Sequence, residues 1–138
     1  MGQQQLMLII VVIVVVGIAL AVGYFMFRDS AVASNRDAVS NDLVNIAIGA
    51  QKYYRLPKSM SGGQLTFDGL TMKMLTPRSK NIDGTYTLTP DPVGGDPASI
   101  TLTGVGVEVG NDHTNPVKIT VDVWPDSIRA RTGPGDQN

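Results

Sequence analysis

Cysteine is absent from this chain of 138 residues, and histidine and glutamate each occur once. The absence of cysteine excludes disulfides, thiol catalysis and thiolate-bound metals. The single histidine, His113, lies in a Gly/Asn/Asp/Pro loop without a serine motif, and Glu108 has no second glutamate to share acid–base work. We therefore expect no catalytic residues and no enzymatic activity.

An excess of positive charge is also lacking: 11 Lys and Arg stand against 12 Asp and Glu. A nucleic-acid partner is not expected, because binding to phosphate backbones requires a basic face. Glycine-rich phosphate loops and the EF-hand spacing are missing as well. Asp91, Asp96 and Asp112 lie in loops rich in Gly, Asn and Pro, where we ascribe them to turn chemistry. No cofactor and no bound metal are predicted.

The N-terminal part of the chain contains no charge before Arg28. Residues 6–27 form an uncharged apolar run of 22 residues, and about 20 suffice to span a bilayer. The β-branched residues 9–16 would favour a strand in water, but a helix is favoured in lipid or in a helix bundle. Residues 1–27 are therefore predicted to form a transmembrane helix or the core of a helical assembly.

The second half of this run contains small and aromatic residues. Gly17 and Gly23 allow two interpretations, close packing between helices or a point where the helix unwinds. Tyr24 and Phe25 lie at the end of the run, just before Arg28, as in an interfacial aromatic belt.

Residues 28–56 continue as an amphipathic helix that ends before Pro57. Its apolar residues recur at steps of three, four or seven and form one stripe, which is predicted to pack on a sheet. The stripe consists of Val32, Val39, Leu43, Ile46, Ala47, Ala50 and either Tyr53 or Tyr54. Asn35 is assigned to the polar faces.

Period-two alternation replaces the helical pattern in residues 57–124. Long strands are predicted over residues 85–89, 99–109 and 117–124, and shorter ones over residues 64–67 and 71–75 around Asp68-Gly69. Residues 125–138 are polar and are assigned to a C-terminal tail. The fold class is α+β, a long N-terminal helix whose second half packs on a small antiparallel sheet.

The first eight positions of the apolar helix now identify a family resemblance. The run Gln5-Leu6-Met7-Leu8 followed by Ile9, Ile10 and two valines resembles the start of a mature type IV pilin. The resemblance implies a subunit that waits in the membrane and then polymerises through its apolar helix. The assembly residues that it implies are Met1, Gln5, Leu6, Met7, Ile9, Ile10, Ile13, Gly17, Gly23, Tyr24 and Phe25.

Two departures from the family pattern stand out. Gln5 occupies the place of a glutamate whose charge, in pilins, is thought to neutralise the N-terminal amine of a neighbouring subunit. The family's helix-loosening proline is absent, and Gly17 and Gly23 bracket its place.

The resemblance further implies a leader cut after glycine by a prepilin peptidase, methylation of the new N-terminus, and a pilus assembly machinery as partner. Either Met1 is the mature terminus or cleavage follows Gly2; alignment of Gln5 with the glutamate favours Met1.

The expected function is that of a structural, non-enzymatic subunit of an extracellular filament, a homopolymer on the cell surface. Two alternatives stay open: a type II secretion pseudopilin, and a single-span membrane-anchored binding domain that does not polymerise. Calcium-dependent folding would favour the pseudopilin, with Asp91, Asp96 and Asp112 as the ligands to examine.

Overall fold

A computed structural model describes residues 2–133 of the chain. A single helix, α1, covers Gly2–Arg55, and a 3-10 turn follows at Lys58–Met60. The structure separates into two units, Met1–Ala31 and Val32–Asn138. The first unit contains the apolar residues 6–27 of α1. The second contains the remainder of α1, a one-turn helix α2 (Met72–Leu75) and one sheet.

The sheet is an antiparallel meander whose strands lie in chain order. The strands are β1 (Gly84–Thr89), β2 (Ile100–Val109), β3 (Pro116–Val123) and β4 (Ile128–Thr132). Register is regular except for an irregularity in β2 between Val105 and Val109. The predicted fold class, an apolar N-terminal helix followed by a small antiparallel sheet that packs on it, is confirmed, and so are the three long strands.

The core of the second unit lies between α1 and one face of the sheet. Alternate residues of each strand point to this face, as the period of two requires. From the helix the core receives every third or fourth residue, which is the stripe of an amphipathic helix. The buried apolar residues of helix and strands are Val32, Val39, Leu43, Ile46, Ala47, Ala50, Tyr86, Leu88, Ile100, Leu102, Val117, Ile119, Val121 and Val123.

The two short predicted strands were wrong. Residues 71–75 contain the one-turn helix α2, and residues 64–67 form an irregular, bent loop. Gln64 and Leu65 have positive φ angles of 56° and 67°. In this conformation their N–H groups donate to the carbonyls of Leu56 and Tyr54 at the end of α1, at 2.9 and 2.7 Å. The segment therefore satisfies the carbonyl groups that a helix end leaves unpaired, rather than a neighbouring strand.

The sheet also extends beyond the predicted sheet region. Strand β4 lies in the segment that was predicted to be a C-terminal tail, and it pairs with β3 along its length. The connecting turn is tied to α1: the Gln51 side-chain amide donates to the Trp124 carbonyl at 2.9 Å, and Arg55 donates to the Pro125 carbonyl at 3.2 Å. A polar strand is thus held by its partner strand and by the helix, contributions that its own composition does not reveal.

Candidate assembly surface

The first unit exposes an apolar helix on all sides. Every described residue from Gly2 to Phe27 is exposed, and the large apolar side chains retain between 50% (Val12) and 78% (Phe27) of their accessible surface. This helix is long and apolar enough to cross a membrane. Soluble monomers rarely expose contiguous apolar patches above a few hundred Å². The segment therefore requires lipid or protein around it.

The predicted assembly residues all belong to this surface where they are described. Gln5 is exposed near the start of the helix, and Met1 lies outside the described residues. The exposed apolar members, with their exposed fractions, are Leu6 62%, Met7 71%, Ile9 53%, Ile10 59%, Ile13 65%, Tyr24 67% and Phe25 61%. All of these side chains are exposed and so remain available to an external partner.

The two glycines lie in regular helix, and a Cβ added at Gly17 or Gly23 would meet no atom within 4 Å. Their lack of a side chain is therefore not required by packing inside the chain. Tyr24 and Phe25 sit edge to face, with ring centroids 6.0 Å apart. After Met26 and Phe27, the charged residues Arg28 and Asp29 end the apolar segment.

The second half of α1 packs on the sheet through its apolar stripe. The predicted packing residues Val32, Val39, Leu43, Ile46 and Ala50 are all buried, with exposed fractions between 0% and 8%. Tyr53 is half-buried against the core, and its hydroxyl donates to the Asp68 carbonyl at 2.8 Å. The apolar stripe therefore determines which face of the helix the sheet covers and which face remains exposed.

Two further glycines, which were not among the predicted site residues, determine how closely the helix approaches the sheet. A Cβ added at Gly104 in β2 would lie 2.7 Å from Val39 Cγ1 and 2.9 Å from Leu43 Cδ1. A Cβ at Gly106 would collide with Asn35 Oδ1. Glycine at two successive inward positions of a strand indicates close backbone approach, and this was the available signal.

Asn35 is a further missed residue, because its assignment to a polar face was wrong. It is buried, at 8% exposure, in line with Val32 and Val39. Its side-chain amide donates to the Asp83 carbonyl at 2.8 Å, and its Oδ1 accepts from the Glu108 N–H at 3.3 Å. One side chain thereby joins the helix to the start of β1 and the end of β2. Its spacing within the stripe was the signal for burial.

A second polar group links α1 to the edge of the sheet. Asp42 Oδ2 accepts from the Tyr86 hydroxyl at 2.6 Å and from the Asn81 amide at 2.7 Å. Burial and the hydrogen bond to Asp42 raise the pKa of Tyr86. A phenol with a raised pKa stays protonated and acts as a donor, so this group serves as a clamp rather than as a base.

The acidic loops do not gather into a metal centre. No group of three or more His, Cys, Asp or Glu side chains suited to a metal occurs within residues 2–133. Asp112 accepts hydrogen bonds from the Asn115 side chain and from the backbone N–H groups of Asn115 and Thr114, which lower its pKa. Asp91 accepts from the Met72 N–H at 3.3 Å. Both carboxylates thus hold loop structure.

Comparison with known proteins yields no matching family model, no similar curated protein and no similar solved structure.

Proposed function

We propose that this chain is the structural subunit of an extracellular, type IV pilus-like helical filament and that it polymerises through residues 6–27. The observation that carries the proposal is the apolar helix exposed on all sides, on a chain whose sheet unit is mounted on the continuation of the same helix. The proposed role requires no enzymatic activity and no cofactor.

Two surroundings satisfy such a helix. In a bilayer, all backbone groups bond within the helix and the side chains face lipid. In a bundle of identical helices, the same side chains face each other. Transfer between these apolar surroundings has a small free-energy cost, so a membrane-held pool of subunits supplies the filament. The membrane is thus the first partner and other copies of the chain are the second.

An open filament forms when the contacts between subunits do not close into a ring. A helix that packs against a neighbour with an axial offset uses different surfaces on the two copies, and such heterologous contacts generate open helical polymers. The proposed location is the cytoplasmic membrane before assembly and the cell surface afterwards. A prepilin peptidase and an assembly machinery are the further partners that the pilin resemblance implies.

The proposal is tested by shearing intact cells that produce the chain. Filaments in the cell-free supernatant are imaged by electron microscopy, and their protein is identified by mass spectrometry. We expect thin filaments composed of this chain. A chain that stays wholly in the detergent-soluble membrane fraction as a monomer contradicts the proposal and favours a single-span anchored domain.

A further inference from the structure

A cavity opens beside the hydrogen bonds that Asp42 accepts. Its volume is about 310 Å³, and it is lined by α1, α2, the loop after α2 and strand β1. Asp42 Oδ2 accepts from the Tyr86 hydroxyl and from the Asn81 amide, and a carboxylate has about four acceptor sites in all. The exposed Arg78 lines the same cavity and carries five N–H donors. An acceptor and a fork of donors are therefore available to a ligand here.

A second cavity adjoins the first. Its volume is about 450 Å³, and Thr76 and Tyr86 line both cavities. It has an acid and a base of its own, Asp91 and Lys73. Both volumes lie within the range of about 300–1,000 Å³ that is usual for small-molecule sites. Neighbouring cavities with shared lining residues suit consecutive units of one ligand.

The two cavities have the same chemical composition. Each combines one carboxylate, one cation, several neutral hydrogen-bonding side chains and two large apolar side chains. The neutral groups are Asn45, Asn81 and Thr76 in the first cavity, and Ser79, Thr87 and Thr76 in the second. The large apolar side chains are Ile46 and Leu75 in the first cavity, and Met72 and Leu88 in the second.

The charges of both cavities favour a neutral ligand. An anion that approaches Arg78 also meets Asp42, and a cation that approaches Asp91 also meets Lys73, so an ion of either sign is attracted and repelled at once. A hydroxyl group both donates and accepts, and it therefore pairs with a carboxylate and with a cation alike. Hydroxyl groups on a ring with apolar C–H surface are the chemistry of a sugar, which matches this mixture of polar and apolar side chains.

We propose that these two cavities, which share Thr76 and Tyr86, form a binding site for a neutral oligosaccharide of at least two sugar units. Asp42 and Arg78 bind hydroxyl groups of one unit, and Asp91 and Lys73 bind those of the next. All of these residues belong to the second unit of the chain, so the inference goes beyond the proposed filament and does not depend on it.

Contacts within the chain hold both carboxylates in place. The buried Tyr86 donates its hydroxyl to Asp42 at 2.6 Å, and Asp91 accepts from the Met72 N–H at 3.3 Å. Side chains that are already ordered lose less conformational freedom when a ligand binds. In a filament the site would recur in every copy, so a long polysaccharide would bind many copies at once.

Saturation-transfer NMR on the full-length chain tests this proposal. The chain is kept in a detergent without a sugar headgroup and is mixed in turn with tetrasaccharides of glucose, mannose, galactose and N-acetylglucosamine. We expect transfer to at least one tetrasaccharide, and at least about tenfold weaker binding of the corresponding monosaccharide, because only one cavity is then filled. No transfer to any of the four tetrasaccharides overturns the proposal.

One substitution in each cavity assigns the binding to this site. Arg78→Ala and Lys73→Ala each remove an exposed cation and should each weaken tetrasaccharide binding about two- to tenfold, the range of one hydrogen bond. Lys80→Ala is the matched control, because Lys80 is an exposed cation close to Arg78 in the chain that lines neither cavity. Unchanged binding in both cavity variants, or an equal loss in Lys80→Ala, contradicts the assignment.

Charged probes test the selection of a neutral ligand. Free glycine carries one charge of each sign, and tetragalacturonate is an anionic sugar chain. Tighter binding of either probe than of every neutral tetrasaccharide overturns the proposed ligand class. The assay requires no filaments, so a failure to bind sugar leaves the proposed filament intact, and a failure to form filaments leaves the sugar site intact.

Discussion

At the scale of single residues, two contacts decide how closely the helix approaches the sheet. Gly104 leaves room for Val39 and Leu43, and Gly106 leaves room for Asn35. Asn35 uses this proximity to bond two strands at once. A buried polar side chain is favourable only when its donors and acceptors are paired, so the glycine and the asparagine depend on each other.

Gly104→Ala should lower the free energy of unfolding of the second unit by about 1–3 kcal/mol, because the added methyl group overpacks the contact with Val39 and Leu43. Trp124, the one tryptophan of the chain, belongs to this unit and reports its unfolding by fluorescence in urea. Gly94→Ala, where an added Cβ meets nothing within 4 Å, is the control and should change stability by less than about 0.5 kcal/mol. Equal urea midpoints for Gly104→Ala and Gly94→Ala would contradict this expectation, because the helix would then accommodate the added methyl group without loss of stability.

At the scale of elements, α1 combines two surfaces in one helix. From Leu6 to Phe27 it is apolar on every side, and from Val32 it has one buried stripe and one outward face. Gly17 and Gly23 lie in the first part and have no close neighbours inside the chain. Packing within the chain therefore does not require them, which leaves contacts with other copies and the stiffness of the helix as the properties they can affect.

Replacing both Gly17 and Gly23 with Ala should stiffen the helix, since each glycine disfavours it by about 1 kcal/mol relative to alanine. We expect a lower yield of sheared filaments or a changed axial rise in electron micrographs. The matched control is Gly49→Ala in the same helix, where the nearest atom to an added Cβ is Leu75 Cδ2 at 3.7 Å. Wild-type yield and rise in the double variant would leave the two glycines as packing residues alone.

Elements with a strong period were predictable from the sequence, and elements held by tertiary contacts were not. The stripe from Val32 to Ala50 and the alternation in β3 repeat over many residues, so the pattern alone indicated helix and strand. In strand β4 only Ile128 is partly buried, and the other four residues are exposed. The position of β4 in the sheet follows from its pairing with β3. Gln64 and Leu65 alternate like a strand, but they close the end of α1.

At the scale of the whole molecule, the proposed filament requires that copies of the chain bury each other's apolar helices. The exposure of residues 6–27 was predictable from composition alone, because the run is too apolar on all sides for an amphipathic helix. The sequence carried signals for Asn35 and Gly104, the stripe spacing and the inward strand position, but their specific contacts appear only where helix and sheet meet. The partner of the apolar helix likewise becomes apparent only when several copies of the chain are considered together.

Single-cysteine labelling of membrane-free filaments measures whether the apolar helix is buried between copies. Ile13 and Val107 are 65% and 59% exposed in the isolated chain, one on the apolar helix and one on β2. Filaments of the Ile13→Cys and Val107→Cys variants are treated with a water-soluble maleimide, and total thiol is measured after denaturation in detergent and urea. We predict that position 107 labels rapidly in intact filaments, whereas position 13 labels only after denaturation. Equal labelling of both positions in intact filaments would contradict the account.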